Sequence, residues 1–312
     1  MSSQLDPQAA AFVAELRAAG VPPLETLAPA EIRELQRQFA PRLTGAPEDV
    51  ARVEDRDIAG PGGPLPIRIY APAAPSLGVL VYLHGGGWVI GSIETADAAC
   101  RALARRTPCT VVSVGYRLAP EHRFPAAVED ALAATQWAVA HAAELTGGSA
   151  LVAVGGDSAG GNLAAAVTLE GVVRGGLGLR HQVLIYPAVD DDFSGPTFRE
   201  YGGGDYLLTL SEMRWYWKNY LADPADARNA LARPLHAATL RGVPPALVVL
   251  AECDPLRGDG EAYAKRLRAD GVPVETLRYE GLIHGFFTMP GIFSRASLAY
   301  DDVAASLRRA FG

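Results

Sequence analysis

The chain has 312 residues, 49% of them hydrophobic and 20% charged, enough for one large α/β domain with an accessory segment and a substantial buried core. A net charge of −7, with no Lys/Arg stripe among aromatics, argues against nucleic-acid binding, and no apolar run approaches the ~18 residues that span a bilayer. Met1 to Asp6 lacks a basic stretch followed by an apolar one, so the expectation is a soluble, cytoplasmic protein with no membrane partner; Cys100, Cys109 and Cys253 have the spacing of neither a disulfide framework nor a zinc site.

Residues 8–40 carry apolar positions at helical spacing (Ala11, Phe12 and Leu16, then Ile32, Leu35 and Phe39) around Gly20-Val21-Pro22-Pro23, which predicts a helix pair. Arg52 to Ile58 and Leu65 to Tyr70 alternate across Gly60-Pro61-Gly62-Gly63-Pro64 and predict an antiparallel hairpin. From Gly78 onward, short apolar runs alternate with helical patterns, the signature of a parallel sheet built from βαβ units. Six core strands are expected: Val79 to Leu83, Thr110 to Val114, Leu151 to Val154, Val183 to Tyr186, Ala246 to Leu250 and Val274 to Tyr279. Helices are expected near 95–107, 126–143, 159–173, 259–270 and 295–310. About 60 residues separate Tyr186 from Ala246, too many for an ordinary crossover. That stretch holds Gly202-Gly203-Gly204 and an aromatic, helix-like segment from Trp215 to Tyr220, and it is read as an insertion at the carboxyl end of the sheet, where open α/β folds bind ligands. The last strand, Val274 to Tyr279, is expected near a sheet edge that could pair two copies into a homodimer.

The run Gly156-Asp157-Ser158-Ala159-Gly160 follows an expected strand and precedes an expected helix, the context of a nucleophile elbow, in which glycines two residues either side of the serine avoid a clash with the neighbouring chain. On its own the pattern is weak in a chain with 33 glycines, and the rest of the sequence strengthens it. His84-Gly85-Gly86-Gly87-Trp88 follows Val79 to Leu83 and leaves backbone N–H groups open to an anionic oxygen; no Gly-Lys-Ser/Thr follows to make it a phosphate loop. Ala159, at the head of the next helix, is a further donor.

Of the six histidines (His84, His122, His141, His181, His236 and His284), only His284 lies just beyond the last core strand, where the order serine, acid, histidine places the base. His84 is read as structural. Asp254, in Ala251-Glu252-Cys253-Asp254-Pro255-Leu256 after the preceding strand, is the expected acid. Its rivals are Glu252, read as pointing elsewhere, and Asp190, Asp191 and Asp192, read as a solvated, chain-turning cluster. Asp157 cannot reach behind a histidine that faces Ser158 and is expected to brace the loops under the site by hydrogen bonds. Trp88, Trp215, Tyr216 and Phe286 are candidates to line an acyl or alcohol pocket, with cap and core packing as the equal alternative.

Taken in order, His84-Gly85-Gly86-Gly87-Trp88, Gly155-Gly156-Asp157-Ser158-Ala159-Gly160-Gly161, Asp254-Pro255-Leu256 and His284-Gly285-Phe286 resemble the hormone-sensitive lipase family of esterases. Tyr116-Arg117-Leu118-Ala119-Pro120-Glu121 and Phe124-Pro125-Ala126-Ala127 extend the likeness, which covers nearly the whole chain from about residue 50. The resemblance implies an α/β-hydrolase fold with a mostly parallel eight-stranded sheet and a helical cap. It implies residues 1–50 as cap helices, 191–225 as a cap insertion, and 51–190 with 226–312 as the catalytic domain. It further implies a serine carboxylesterase for short- to medium-chain acyl esters, with Gly86 and Gly87 donating to the oxyanion beside Ala159 and with no metal or cofactor. Alternatives are an amidase or transacylase using the same triad and, less favoured because His284 is present, a non-catalytic binding protein on the same scaffold.

Overall fold

A computed structural model describes residues 5–312. The first four residues of the expected N-terminal unit, and of the stretch read for a leader sequence, lie outside the described residues. Eight strands form one sheet: β1 (Arg52–Gly60), β2 (Gly63–Ala71), β3 (Val79–Leu83), β4 (Thr110–Val114), β5 (Val152–Asp157), β6 (His181–Ile185), β7 (Ala246–Cys253) and β8 (Val274–Ile283). Their order is β1-β2-β4-β3-β5-β6-β7-β8; β2 runs antiparallel to β1 and β4, and the remaining pairs are parallel. This is the α/β-hydrolase fold that the resemblance implied, and its parallel strands are those that the alternation of apolar runs and helical patterns predicted.

The helices are α1 (Pro7–Ala18), α2 (Pro29–Thr44), α3 (Ile93–Arg106), α4 (Ala126–Thr146), α5 (Ala159–Val173), α6 (Pro196–Tyr201), α7 (Leu210–Tyr220), α8 (Arg257–Ala269) and α9 (Ala296–Phe311). Side chains of α4, α5 and α8 close one face of the sheet, and those of α3 and α9 close the other, where Phe12 and Val13 of α1 join them. The central strands are covered on both faces, which is why they read as unbroken apolar runs rather than alternating ones. Each end of α7 has a local cause: Thr209 Oγ1 accepts the Glu212 N–H at 3.0 Å while Glu212 Oε2 takes the Thr209 N–H at 2.8 Å, and the chain turns extended at Leu221.

The expected strands are all present, with two informative differences at their ends. β6 stops one residue early because Tyr186 adopts a positive φ of 34°, incompatible with continued pairing. β7 and β8 run past Leu250 and Tyr279 to Cys253 and Ile283 through an irregularity: Ala251 pairs with Tyr279, and the next pair is Cys253 with Ile283. Glu252, opposite the extra residues, accepts the Gly281 N–H at 2.8 Å and so holds this bulge in place. β8 is an edge strand, and the Asp6 N–H binds Gly281 O near its carboxyl end.

The long connection from β6 to β7 carries α6 and α7, and its two roots are tied together. Asn162 of α5 donates its amide to both Ala188 O and Ala232 O at 2.8 Å, and the Leu235 N–H binds Val189 O. Asp190 is buried and pairs with Arg233 at 2.5 Å and with His236 Nε2 at 2.9 Å. The reading of the triple aspartate as a solvated cluster is therefore corrected for Asp190; its partners return from the far end of the insertion, a long-range pairing that no local pattern announces. Asp192 does turn the chain at the surface, accepting the Ser194 N–H at 2.9 Å. The three cysteines are buried and form no disulfide, and burial pushes the Cys109 thiol up to about 12.

Candidate active site

Strand adjacency assembles the site. β3 and β5 are neighbours with Leu83 opposite Gly156, so the glycine loop leaving β3 and the serine leaving β5 emerge side by side. Ser158 sits at φ 54° and ψ −119°, a conformation costly for a non-glycine residue, between β5 and α5. The close approach explains its glycines: a Cβ at Gly156 or at Gly160 would collide with the Leu83 carbonyl. Backbone bonds hold the turn, with the Ser158 N–H on Ile185 O at 2.8 Å and the Asn162 N–H on Ser158 O at 3.0 Å.

The β7/β8 bulge supplies the other two residues. Cys253 opposite Ile283 makes Asp254 and His284 the next neighbours beyond the paired strands. His284 Nδ1 lies 2.8 Å from Asp254 Oδ2, and Nε2 lies 3.0 Å from Ser158 Oγ. Asp254 has no exposed surface, and its Oδ1 takes the Leu256 N–H at 2.8 Å. A carboxylate can only accept, so it holds the Nδ1–H tautomer and turns the Nε2 lone pair toward the serine hydroxyl. The Tyr186 ring packs against the imidazole at 4.5 Å between centroids. Ser158 keeps 9% of its surface exposed.

Among the described residues, neither Gly86 nor Gly87 nor Ala159 gives its N–H to a protein carbonyl. Three donors are thus left without a protein carbonyl, Ala159 at the positive end of α5. The loop that carries Gly86 and Gly87 is anchored below. His84 is buried, its Nδ1–H bonds Gly85 O at 2.8 Å, its carbonyl accepts the Tyr116 hydroxyl at 2.7 Å, and its ring stacks on Tyr116 at 4.2 Å. Burial pushes the His84 imidazole down to about 4, so it is neutral near pH 7, in line with its structural reading. Asp157 accepts the Tyr82 hydroxyl at 2.8 Å and the Gly85 N–H at 3.1 Å, the bracing expected of it.

The aromatic residues fall into two groups. Tyr216 of α7 lies on the glycine loop so closely that a Cβ at Gly87 would collide with its ring, and Trp215 packs edge-on against Tyr216 at 5.2 Å. Trp88 and Phe286 have no exposed surface. Trp88 stacks on Tyr220 at 4.1 Å and meets Trp217 edge-on at 4.7 Å; Phe286 packs among Tyr186, Tyr279 and Phe287. Their rings are occupied with packing, which replaces the pocket-lining expectation for these two. Trp88 itself takes a φ of 61°, and its indole lies in the cluster with Trp217 and Tyr220 of α7.

Some contributors carried no sequence signal. Arg33 of α2 donates to Val89 O and Ala119 O at 2.8 Å and grips Glu121 with both nitrogens, fixing the N-terminal helices to the loops that flank the glycine run. Arg17 of α1 pairs with Asp205 in the insertion. Glu121 stood in a recognisable motif, but an arginine on a polar helix face looks like any solvated charge. Tyr116 stood in the same motif, and Tyr82 and Tyr186 lay in expected strands with no further role read for them.

The fold and this arrangement define an α/β-hydrolase with a serine, a histidine and a carboxylate in hydrogen-bonded series. A family model of the alpha/beta hydrolase fold matches residues 80–288. Curated relatives include an ethyl acetate hydrolase of Pseudomonas putida, 36% identical over 98% of this chain and 99% of its own length, and an arylesterase of Saccharolobus solfataricus, 41% identical over 83% and 86%. Similar solved structures include an ester hydrolase from the Lake Arreo metagenome in complex with a bipyridine phosphonate derivative, at TM-score 0.94, 39% identity and coverage of 99% and 100%. The hyperthermophilic esterase of Pyrobaculum calidifontis matches at TM-score 0.90 and 41% identity over 98% of each chain. The chain belongs to the hormone-sensitive lipase branch of the α/β-hydrolase fold family and is a carboxylic ester hydrolase.

Proposed function

We propose that the chain hydrolyses short- to medium-chain acyl esters with Ser158 as nucleophile, His284 as base and Asp254 as the acid that orients it. The observation that carries this reading is the continuous series Asp254 Oδ2, His284 Nδ1, His284 Nε2, Ser158 Oγ at 2.8 and 3.0 Å. His284 takes the hydroxyl proton as Ser158 attacks the ester carbonyl, and the N–H groups of Gly86, Gly87 and Ala159 receive the oxyanion. The alcohol leaves with the proton returned by His284. Water activated by the same imidazole then opens the acyl-enzyme and releases the acid. Residues 1–50 and 191–225 act as the cap over 51–190 and 226–312, with Tyr216 and Trp215 of α7 as its floor above the glycine loop. A roof set this close favours small acyl groups.

A p-nitrophenyl ester series from acetate to palmitate tests the reading. Turnover should be highest on the short and middle chains, and Ser158→Ala should lower kcat by at least ~1,000-fold. Preference for emulsified long chains would overturn the substrate class, and full activity in Ser158→Ala would overturn the mechanism.

A further inference from the structure

We propose that Asp157 is the positioning residue of the oxyanion donors: its buried carboxylate holds the glycine loop in register with the serine beside it. The inference rests on the esterase reading and deepens it. Asp157 ends β5, keeps 5% of its surface exposed, and is followed directly by Ser158. Its Oδ1 takes the Gly85 N–H at 3.1 Å and the Tyr82 hydroxyl at 2.8 Å, which links β3, β5 and the loop between β3 and α3 through one atom. The contact is tight, since a Cβ at Gly85 would occupy the space of Oδ2.

Gly85 is the residue through which this grip reaches the donors. Its carbonyl, held by His84 Nδ1, belongs to the same peptide unit as the Gly86 N–H. With Gly85 N–H fixed from one side and Gly85 O from the other, the plane carrying the Gly86 donor is set. Three consecutive glycines otherwise lose much conformational freedom when ordered, and preorganised donors stabilise an oxyanion only if no reorganisation is needed at the moment of reaction.

The surroundings make the charge of Asp157 count. Tyr82 on β3, Cys100 on α3, Tyr116 after β4, Tyr186 after β6 and Tyr300 on α9 face it, all neutral near pH 7; His284, after β8, is the group facing it that becomes cationic during turnover. Among the described residues no lysine or arginine forms an ion pair with it. Burial raises its carboxyl to about 6, so the charge-assisted bonds to Gly85 and Tyr82 strengthen as pH climbs through that value.

The test uses the purified full chain, with p-nitrophenyl acetate for turnover and a trifluoromethyl ketone as a mimic of the tetrahedral adduct. Asp157→Ala should lower kcat by about 100-fold with KM changed less than threefold, and should weaken ketone binding in proportion to kcat. Asp157→Asn, which keeps an acceptor for Gly85 and Tyr82 but not the charge, should recover at least tenfold of that loss. The wild-type advantage in kcat over Asp157→Asn should shrink as pH falls through about 6, because the wild-type carboxyl then loses the charge that the amide never carries. Unchanged kcat in Asp157→Ala, a loss carried by KM alone, or a ratio of wild-type to Asp157→Asn kcat that does not change with pH would overturn the proposal. If Asp157→Ala does not fold, the pH dependence of that ratio and a parallel loss of kcat and ketone affinity in Tyr82→Phe decide it. Absence of any Ser158-dependent turnover in the wild type would count against the esterase reading itself, whereas Ser158-dependent turnover with Asp157→Ala unimpaired counts only against this positioning role.

Discussion

At the scale of single residues, the site was legible wherever chemistry and backbone geometry demand the same residue type. Gly156 and Gly160 flank Ser158 because a Cβ at either would meet the Leu83 carbonyl, and that constraint leaves a mark in the sequence. Asp157 had a legible purpose and an illegible environment: its adjacency to the serine excluded the triad role, but the burial that sets its ionisation comes from five other elements. That burial gives a stability signature. Its carboxyl titrates at about 6 in the fold, against an ordinary value of 3.8. A carboxyl raised on folding lends stability that is whole below the unfolded value and lost as pH rises through the folded one, here between about pH 4 and pH 6, and the full change is about 3 kcal/mol. Denaturant unfolding of wild type and Asp157→Asn across pH 4 to 7 should therefore show the variant gaining on the wild type as pH rises; parallel curves would contradict the assignment.

At the scale of elements, the eight strands and the helices of the sheet domain announce themselves by apolar runs and periodicity, while the features that aim side chains do not. The irregularity between β7 and β8 is what brings Asp254 beside His284, yet Leu250 and Tyr279 looked like the strand ends because the apolar pattern breaks there. Trp88 and Phe286 show the same limit from the other side, since proximity to a motif says nothing of which way a ring turns. In α7 the direction is informative: the Tyr216 ring lies directly on Gly87. Removing it in Tyr216→Ala should raise kcat/KM for the octanoate ester relative to the acetate by about tenfold, the order that a few methylenes command in an apolar pocket. An unchanged ratio would place chain-length selection elsewhere. The loop after β4 offers a second case, because Arg117 holds the buried Asp130 through its Nε at 2.8 Å, its terminal nitrogen at 2.9 Å and its own N–H at 2.9 Å. Arg117→Met leaves that carboxylate unpaired and should cost about 3 kcal/mol in unfolding free energy, part of it recovered in the double variant Arg117→Met/Asp130→Met. A loss below ~1 kcal/mol would mean that solvent replaces the arginine.

At the scale of the whole molecule, fold and catalytic groups are tied to one another by position on the sheet. Ser158 leaves β5, the glycine loop leaves β3, and Asp254 and His284 leave β7 and β8, so the carboxyl ends of four strands make the proposed site. Long-range pairs then seat the N-terminal helices and the insertion: Arg33 on the loops beside the glycine run, Arg17 on the insertion, and Asp190 with Arg233 and His236 across the insertion's roots. None of these pairs has a local pattern, and for that reason these segments were the least legible part of the chain. Among the described residues no helix is long and apolar enough to cross a membrane. The central claim, that Ser158 is the nucleophile of this assembly, is tested most directly by treating the enzyme with diethyl p-nitrophenyl phosphate and mapping the adduct by mass spectrometry. The account predicts one diethylphosphoryl group, on the peptide containing Ser158, appearing in step with the loss of esterase activity. Modification at another residue, or full activity with Ser158 modified, would contradict it.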